Sequence, residues 1–234
     1  MTKYKRVLLK LSGEALSGDK GQGFNEEIVL KVATQVKNIV DSGIQVGIVI
    51  GGGNFWRGRS NPNMDRTKAD QIGMLATVMN CLYVAEMFRT IGIKTMVQTP
   101  FSIGTITEEF SKDRALERMN RSEVVFFAGG TGHPFFSTDT AIALRAIELD
   151  ANVILAAKNV DGIYDSDPRE NPSAKKFDRI SMSEVVQKEL KAMDLTAAIM
   201  CLEHKMPMLV FHLGEENSII HAANDQTTGT FVYV

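Results

Sequence analysis

The sequence predicts an α/β protein, a three-layer αβα sandwich on a mostly parallel central sheet. Three observations carry this expectation. Short apolar runs alternate with longer segments of helical periodicity along the whole chain, which is the pattern of a parallel sheet covered on both faces. Hydrophobic residues make up 44% of 234 residues, enough to bury a large core in one domain. Several of the apolar runs end in Gly, Lys, Asp or Ser/Thr clusters, and ligands of open α/β sheets collect at the carboxyl ends of strands.

Taken in order, residues 6–11 read as a first strand. Asn25 reads as the N-cap of a helix whose first turn carries Glu26 and Glu27. Its apolar face is Ile28, Val29, Val32, Val36, Ile39 and Val40, and Gly43 ends it. A second strand, 44–50, runs straight into Gly51, Gly52 and Gly53. A long helix over about 68–90 shows Ile72, Leu75, Met79, Leu82 and Met87 near helical spacing, with Gly92 as its stop. Strands follow at 93–97 and 124–127, separated by a polar helix over 107–120. Residues 138–149 read as a helix and 153–157 as a strand, after which 165–176 is a polar excursion with two prolines. Helices near 181–189 and 196–204 and strands at 208–212 and 230–234 complete the chain. The reading is one domain, 1–234.

Charge and cysteine usage narrow the function classes. The net charge is −2 and the sequence pI about 6.1, so no general attraction to nucleic acid is built in. The apolar run after Met1–Lys5 is only Val7–Leu9, which is no signal peptide, and charged or glycine residues interrupt every longer stretch. A cytoplasmic protein with no membrane partner is expected. Cys81 and Cys201 stand apart in apolar stretches and read as reduced structural thiols.

Four clusters could carry chemistry, because glycine turns and helix N-termini offer backbone N–H groups to anions. Lys10, Leu11, Ser12 and Gly13 place a cation at a strand end before a tight turn, although a strand-edge lysine reaching solvent reads the same way. Gly13 and Gly18 have the P-loop spacing, but Asp19 occupies the lysine position, which excludes that motif. Gly51–Asn54 with Arg57 and Gly58 is a glycine turn beside a phosphate-binding arginine; Trp56 in place of a third glycine excludes the dinucleotide fingerprint. From Gly129 to Asp139, glycines, hydroxyls and a carboxylate lie between a strand and a helix, where Ser137, Thr138 and Asp139 also suit N-capping. Lys158 to Pro168 is a turn with an aromatic and several acids, suited to a purine and its ribose or simply to a turn.

In combination, KLSGEAL, GGGNFWRG, GTGHPFFSTD, VDGIYDSDP and KAMDLTA resemble the bacterial uridylate kinases of the amino-acid-kinase superfamily, and the resemblance covers the whole chain. It implies transfer of the γ-phosphoryl group of ATP to UMP with Mg²⁺, the N-terminal part binding UMP and residues from about 150 to 234 binding ATP. On this resemblance Lys10, Arg57 and Asp139 are catalytic. Lys10, Leu11, Ser12, Gly13, Gly53, Arg57, Lys158, Asn159, Tyr164 and Asp167 take ATP, the last four on its adenine and ribose side. Gly52, Asp70, Thr131, Gly132, His133, Pro134, Phe135, Phe136, Ser137 and Thr138 take UMP. The loop Gly18, Asp19, Lys20, Gly21, Gln22, Gly23 resembles one linked to GTP activation, and a homohexamer inhibited by UTP is implied. No protein metal ligand is assigned. His133 departs from the asparagine of many relatives. The alternatives are a sister kinase acting on acetylglutamate or carbamate, or a nucleotide-binding regulator without catalysis.

Overall fold

The computed structural model describes residues 4–56, 63–190 and 192–234. Its core is a nine-stranded sheet in the order β4-β3-β5-β2-β1-β6-β10-β11-β9 among the described residues. The strands are β1 (Arg6–Leu11), β2 (Gln45–Ile50), β3 (Thr95–Thr99), β4 (Glu108–Glu109), β5 (Val124–Phe127), β6 (Val153–Lys158), β9 (Arg179–Ser181), β10 (Met208–His212) and β11 (Thr230–Tyr233). A separate two-stranded ribbon pairs β7 (Ile163–Tyr164) with β8 (Lys176–Phe177). Neighbours in the large sheet run parallel except β10 with β11.

The sheet separates two cores. Val7, Leu9 and Leu11 of β1 face α2 (Glu26–Asp41), α3 (Arg66–Thr90) and α8 (Ser218–Ala223). Leu8 faces α4 (Lys112–Asn120), α5 (Thr138–Glu148), α6 (Met182–Gln187) and α7 (Leu195–Glu203). The two-residue period of a strand therefore decides which layer each side chain enters. Asn25 caps α2 as expected, accepting the Ile28 N–H at 3.3 Å. Cys81 and Cys201 are both buried, and burial pushes both thiols up to about 12, which leaves them unreactive.

Three expectations need correction. The apolar series read at helical spacing in the long helix divides: Ile72 is 37%, Leu75 52% and Met79 49% exposed, whereas Leu82 and Met87 pack partly buried against the core. The buried residues of the helix are Ala69, Ala76, Thr77, Val78, Asn80, Cys81, Val84, Ala85 and Phe88, mostly small side chains that bring the helix close to β2, β3 and β5. By length and composition α3 is apolar enough to cross a bilayer, yet its buried side packs on the sheet. Second, β3 starts at Thr95, because the Ile93 N–H is engaged by the Phe88 carbonyl closing α3. Third, α4 starts only at Lys112, where Ser111 caps it, while Glu108 and Glu109 pair with β3. Short α1 (Gly13–Ser17) and α8 lie in segments read as connections.

Candidate active site

Lys10 ends β1 on the α5 side of the sheet, and its ammonium contacts Asp139 Oδ1 at 2.8 Å, with side chains only 14% and 19% exposed. Asp139 stands in the first turn of α5, whose N-cap Ser137 accepts the Asp139 N–H at 2.9 Å. Burial works to raise the Asp139 carboxyl. The charges of Lys10 and Lys158, the Lys10 hydrogen bond and the Asp194 backbone outweigh it and hold the group below the ordinary carboxylate range. Lys10 and Asp139, both named from the resemblance, are therefore brought together as an ion pair.

A carboxylate quoted in the KAMDLTA segment but given no role completes this centre. Asp194 caps α7, accepting the Ala197 N–H at 2.9 Å, and accepts from the hydroxyls of Ser137 and Thr140. Two helix N-termini, α5 and α7, are thus tied together beside Asp139. An Asp immediately before an apolar helical run is a capping signal, but sequence order alone does not say that it faces Ser137.

Three further polar residues, unassigned from sequence, hold the glycine turns. Asn54 and Asn80 are both buried and form a reciprocal amide pair, Asn80 Nδ2 to Asn54 Oδ1 at 2.7 Å and Asn54 Nδ2 to Asn80 Oδ1 at 3.1 Å. Each amide also donates to a backbone carbonyl, Asn80 to Gly51 at 2.7 Å and Asn54 to Gly23 at 2.8 Å. Gly13 packs on this pair so closely that a Cβ there would run into Asn54 Oδ1 and the Gly51 carbonyl. One turn earlier on α3, Thr77 accepts the Gly129 N–H at 2.8 Å. Gly132, at φ +85°, lies against Pro100, where a side chain would have no room. Asp70 accepts the N–H of Phe135 at 2.8 Å and a bifurcated hydrogen bond from Arg66 Nε to its two oxygens, holding Phe135 at φ +72°.

Two cavities adjoin at this place. One of about 170 Å³ is lined by Gly52, Asp70, Gly73, Gly130, His133 and Thr138, among others. Its neighbour, about 430 Å³, is lined by Asp139, Lys158, Met193 and Asp194, and the two share Asp70, Phe136 and Ser137 as a common wall. Thr131 and Pro134 stand in the same loop without lining either cavity. Leu11 is buried and offers its carbonyl, which accepts the Gly51 N–H at 3.0 Å. Ser12 stands at the N-cap of α1 with its side chain making no cap bond, and Gly53 lies against Glu14. Arg57 lies outside the described residues.

The adenine-side assignments divide. Tyr164 and Asp167 line a third cavity of about 290 Å³ with Val160, Ile163 and Leu190. Tyr164 donates to Asp161 Oδ1 at 2.7 Å, and Lys176 contacts Asp161 Oδ2 at 2.9 Å. Lys158 lines the 430 Å³ cavity instead, and Asn159 lines a separate cavity with α2 and the loop after β10. The residues 18–23 form a 3₁₀ turn, Gly18–Lys20, and a loop joined to Asn54 through Gly23.

Residues 5–212 match the Amino acid kinase family. The chain belongs to the amino acid kinase family. A solved UMP kinase from Bacillus anthracis superposes with TM-score 0.94 at 35% identity, over 98% of this chain and 96% of that one. Another UMP kinase, from Ureaplasma parvum, gives 0.93 at 33% identity over 99% and 100%.

Proposed function

We propose that this protein is a UMP kinase, transferring the γ-phosphoryl group of ATP to UMP to give ADP and UDP. The observation that carries this reading is the pair of adjoining cavities with one wall in common, beside a buried Lys10–Asp139 pair. Two phosphate-bearing substrates placed there meet at a fixed cation, and the resemblance to two solved UMP kinases names the nucleotides.

A UMP phosphate oxygen attacks the γ-phosphorus, the bond to the β-bridging oxygen breaks, and ADP leaves with that electron pair. The acceptor is already an anion, so no strong base is required and His133 has none of that work to do. What the chain supplies is alignment and charge stabilisation. Lys10 faces the transferred group, the glycine turns at 51–53 and 129–132 present backbone to phosphate oxygens, and Asp70 and residues 131–138 hold UMP. Asp139 fixes the Lys10 ammonium. Arg57 is assigned to the phosphates by its motif.

No group of three or more metal-ligating side chains occurs among the described residues. The acids present suit Mg²⁺ that enters on the ATP phosphates, a cation commonly held by one or two carboxylates plus substrate oxygens. Asp139 would be the carboxylate to hold it, and Mg²⁺ bound there would neutralise phosphate charge.

Within the single domain, residues from about 150 onward take ATP through Tyr164 and Asp167, and the earlier part takes UMP. A cytoplasmic homohexamer, activated by GTP at residues 18–23 and inhibited by UTP, extends the reading. The exposed stripe of Ile72, Leu75 and Met79 supports association of copies, since a helix face of this kind is stable when covered. Light scattering should give a mass near six chains, and Leu75→Glu with Met79→Lys should lower it.

The deciding assay follows ADP release with UMP, CMP, acetylglutamate and carbamate as acceptors. UMP-dependent turnover is expected. Turnover with acetylglutamate or carbamate and none with UMP would overturn the proposal.

A further inference from the structure

The geometry points to Lys158 as a further catalytic cation that contacts the phosphoryl group in transit, from the strand beside Lys10; this rests on the kinase reading above. The starting point is strand register. β1 and β6 are parallel neighbours with Lys10 opposite Ala156. Residues opposite each other in a parallel pair project to the same face, and so does the residue two further along. Lys158 therefore leaves the sheet on the same side as Lys10, toward α5 and α7, while Asn159 turns to the other side. The cavities bear this out, since Lys158 lines the one containing Asp139 and Asn159 lines the one beside α2.

At that position Lys158 is held from several sides. Its ammonium donates to the Ala192 carbonyl, and Asp139 and Asp194 both act on it electrostatically, as does Lys10. Burial is the largest influence and pulls the ammonium below the ordinary lysine range, Lys10 adds to that, and the two carboxylates oppose it. Asp139 thus pairs with Lys10 and borders the same cavity as Lys158, two lysines carried by adjacent strands. A cation whose only task was to neutralise Asp194 would not need to border a cavity of about 430 Å³. Bordering it, Lys158 can give its remaining N–H bonds to oxygens of the transferred group. Phosphoryl transfer spreads negative charge over those oxygens in the transition state, and a cation fixed there beforehand stabilises that charge more than the ground state.

The test is steady-state kinetics on the whole chain with ATP and UMP, the unmodified protein serving as control for the kinase reading itself. Lys158→Met is expected to lower kcat by about 10²–10³-fold, with KM for ATP and for UMP within about threefold and no fall in Tm. Lys158→Cys treated with 2-bromoethylamine regains an ammonium at nearly the same reach. Cys81 and Cys201 are buried, so modification is confined to the new thiol, and kcat is expected to recover at least tenfold. Should the methionine variant fail to fold, the recovery measurement decides alone. A kcat within threefold of the control, a loss confined to KM for ATP, or no recovery on aminoethylation would overturn the assignment. If the unmodified chain does not turn over UMP, the kinase reading fails instead.

Discussion

The Lys10–Asp139 centre and the ribbon at Tyr164 both gather charged groups around a cavity, and they are built in opposite ways. In the centre, Lys10 and Lys158 end strands of the large sheet, and Asp139 and Asp194 begin helices. Every charge is thereby fixed by an element with its own ladder of backbone bonds. At the ribbon, Asp161 lies in the turn before two-residue β7, and its carboxylate partners Tyr164 and Lys176 sit on the two short strands. The Asp161 side chain is 38% exposed, against 19% for Asp139. Solvent screens the first pair far more than the second. The difference teaches that the two regions hold charge differently: beside Lys10 it stands on rigid elements, whereas at the ribbon it stands on a turn, which the proposed reading uses for base and ribose.

The largest test of that contrast is Lys10→Ala, expected to lower kcat by about 10³-fold while ATP still binds, measured by initial rates and by ATP titration. Retained kcat would remove the phosphate centre from the mechanism. Asp139→Asn should cost about 10²-fold in kcat, because it leaves Lys10 without its fixed partner. The same variant carries a stability signature. The folded carboxyl lies below its ordinary value of 3.8, so its contribution is present above that value and is lost as pH falls through the lower, folded value. Thermal midpoints of the two proteins should therefore converge in acid below about pH 4; a constant difference would contradict it.

Asn80→Leu comes next, with about 2–3 kcal/mol of stability lost in denaturant titration, since Asn54 and the Gly51 carbonyl lose buried partners. The smallest effect belongs to the ribbon. Tyr164→Phe removes one hydrogen bond to Asp161, and KM for ATP should rise by about twofold to fivefold with kcat unchanged. A fall in kcat would show that the ribbon and the centre are not separate.

Sequence periodicity made the sheet and its flanking helices legible because the strands are almost wholly apolar and α2 has one clean face. It failed on α3, which carries two usable faces. The larger side chains, Ile72, Leu75 and Met79, form the more obvious stripe, yet small alanines together with Thr77 and Asn80 lie on the sheet. Hydropathy scores Asn80 as a surface residue; only the carbonyl at Gly51 and the amide of Asn54 explain why it is buried. Lys10 and Asp139 were each legible from their motifs, since each stands at the edge of a regular element, but their pairing is a fact of the fold. Asp194 was not, because its partners Ser137 and Thr140 are more than fifty residues away. That Lys158, expected on the adenine and ribose side, lines the cavity of Asp139 was not legible for a related reason. Its side of the sheet depends on the register between β1 and β6, and register is a tertiary fact.

That register has a consequence for how length changes act in this protein. Removing one residue from β6 ahead of Lys158 would keep the apolar run long enough to remain a strand, but it would exchange the directions of its last two side chains. The ammonium would emerge toward α2 and the amide toward Asp139. Chain length at this point works as a selector of chemistry, acting on a fold that would look unchanged.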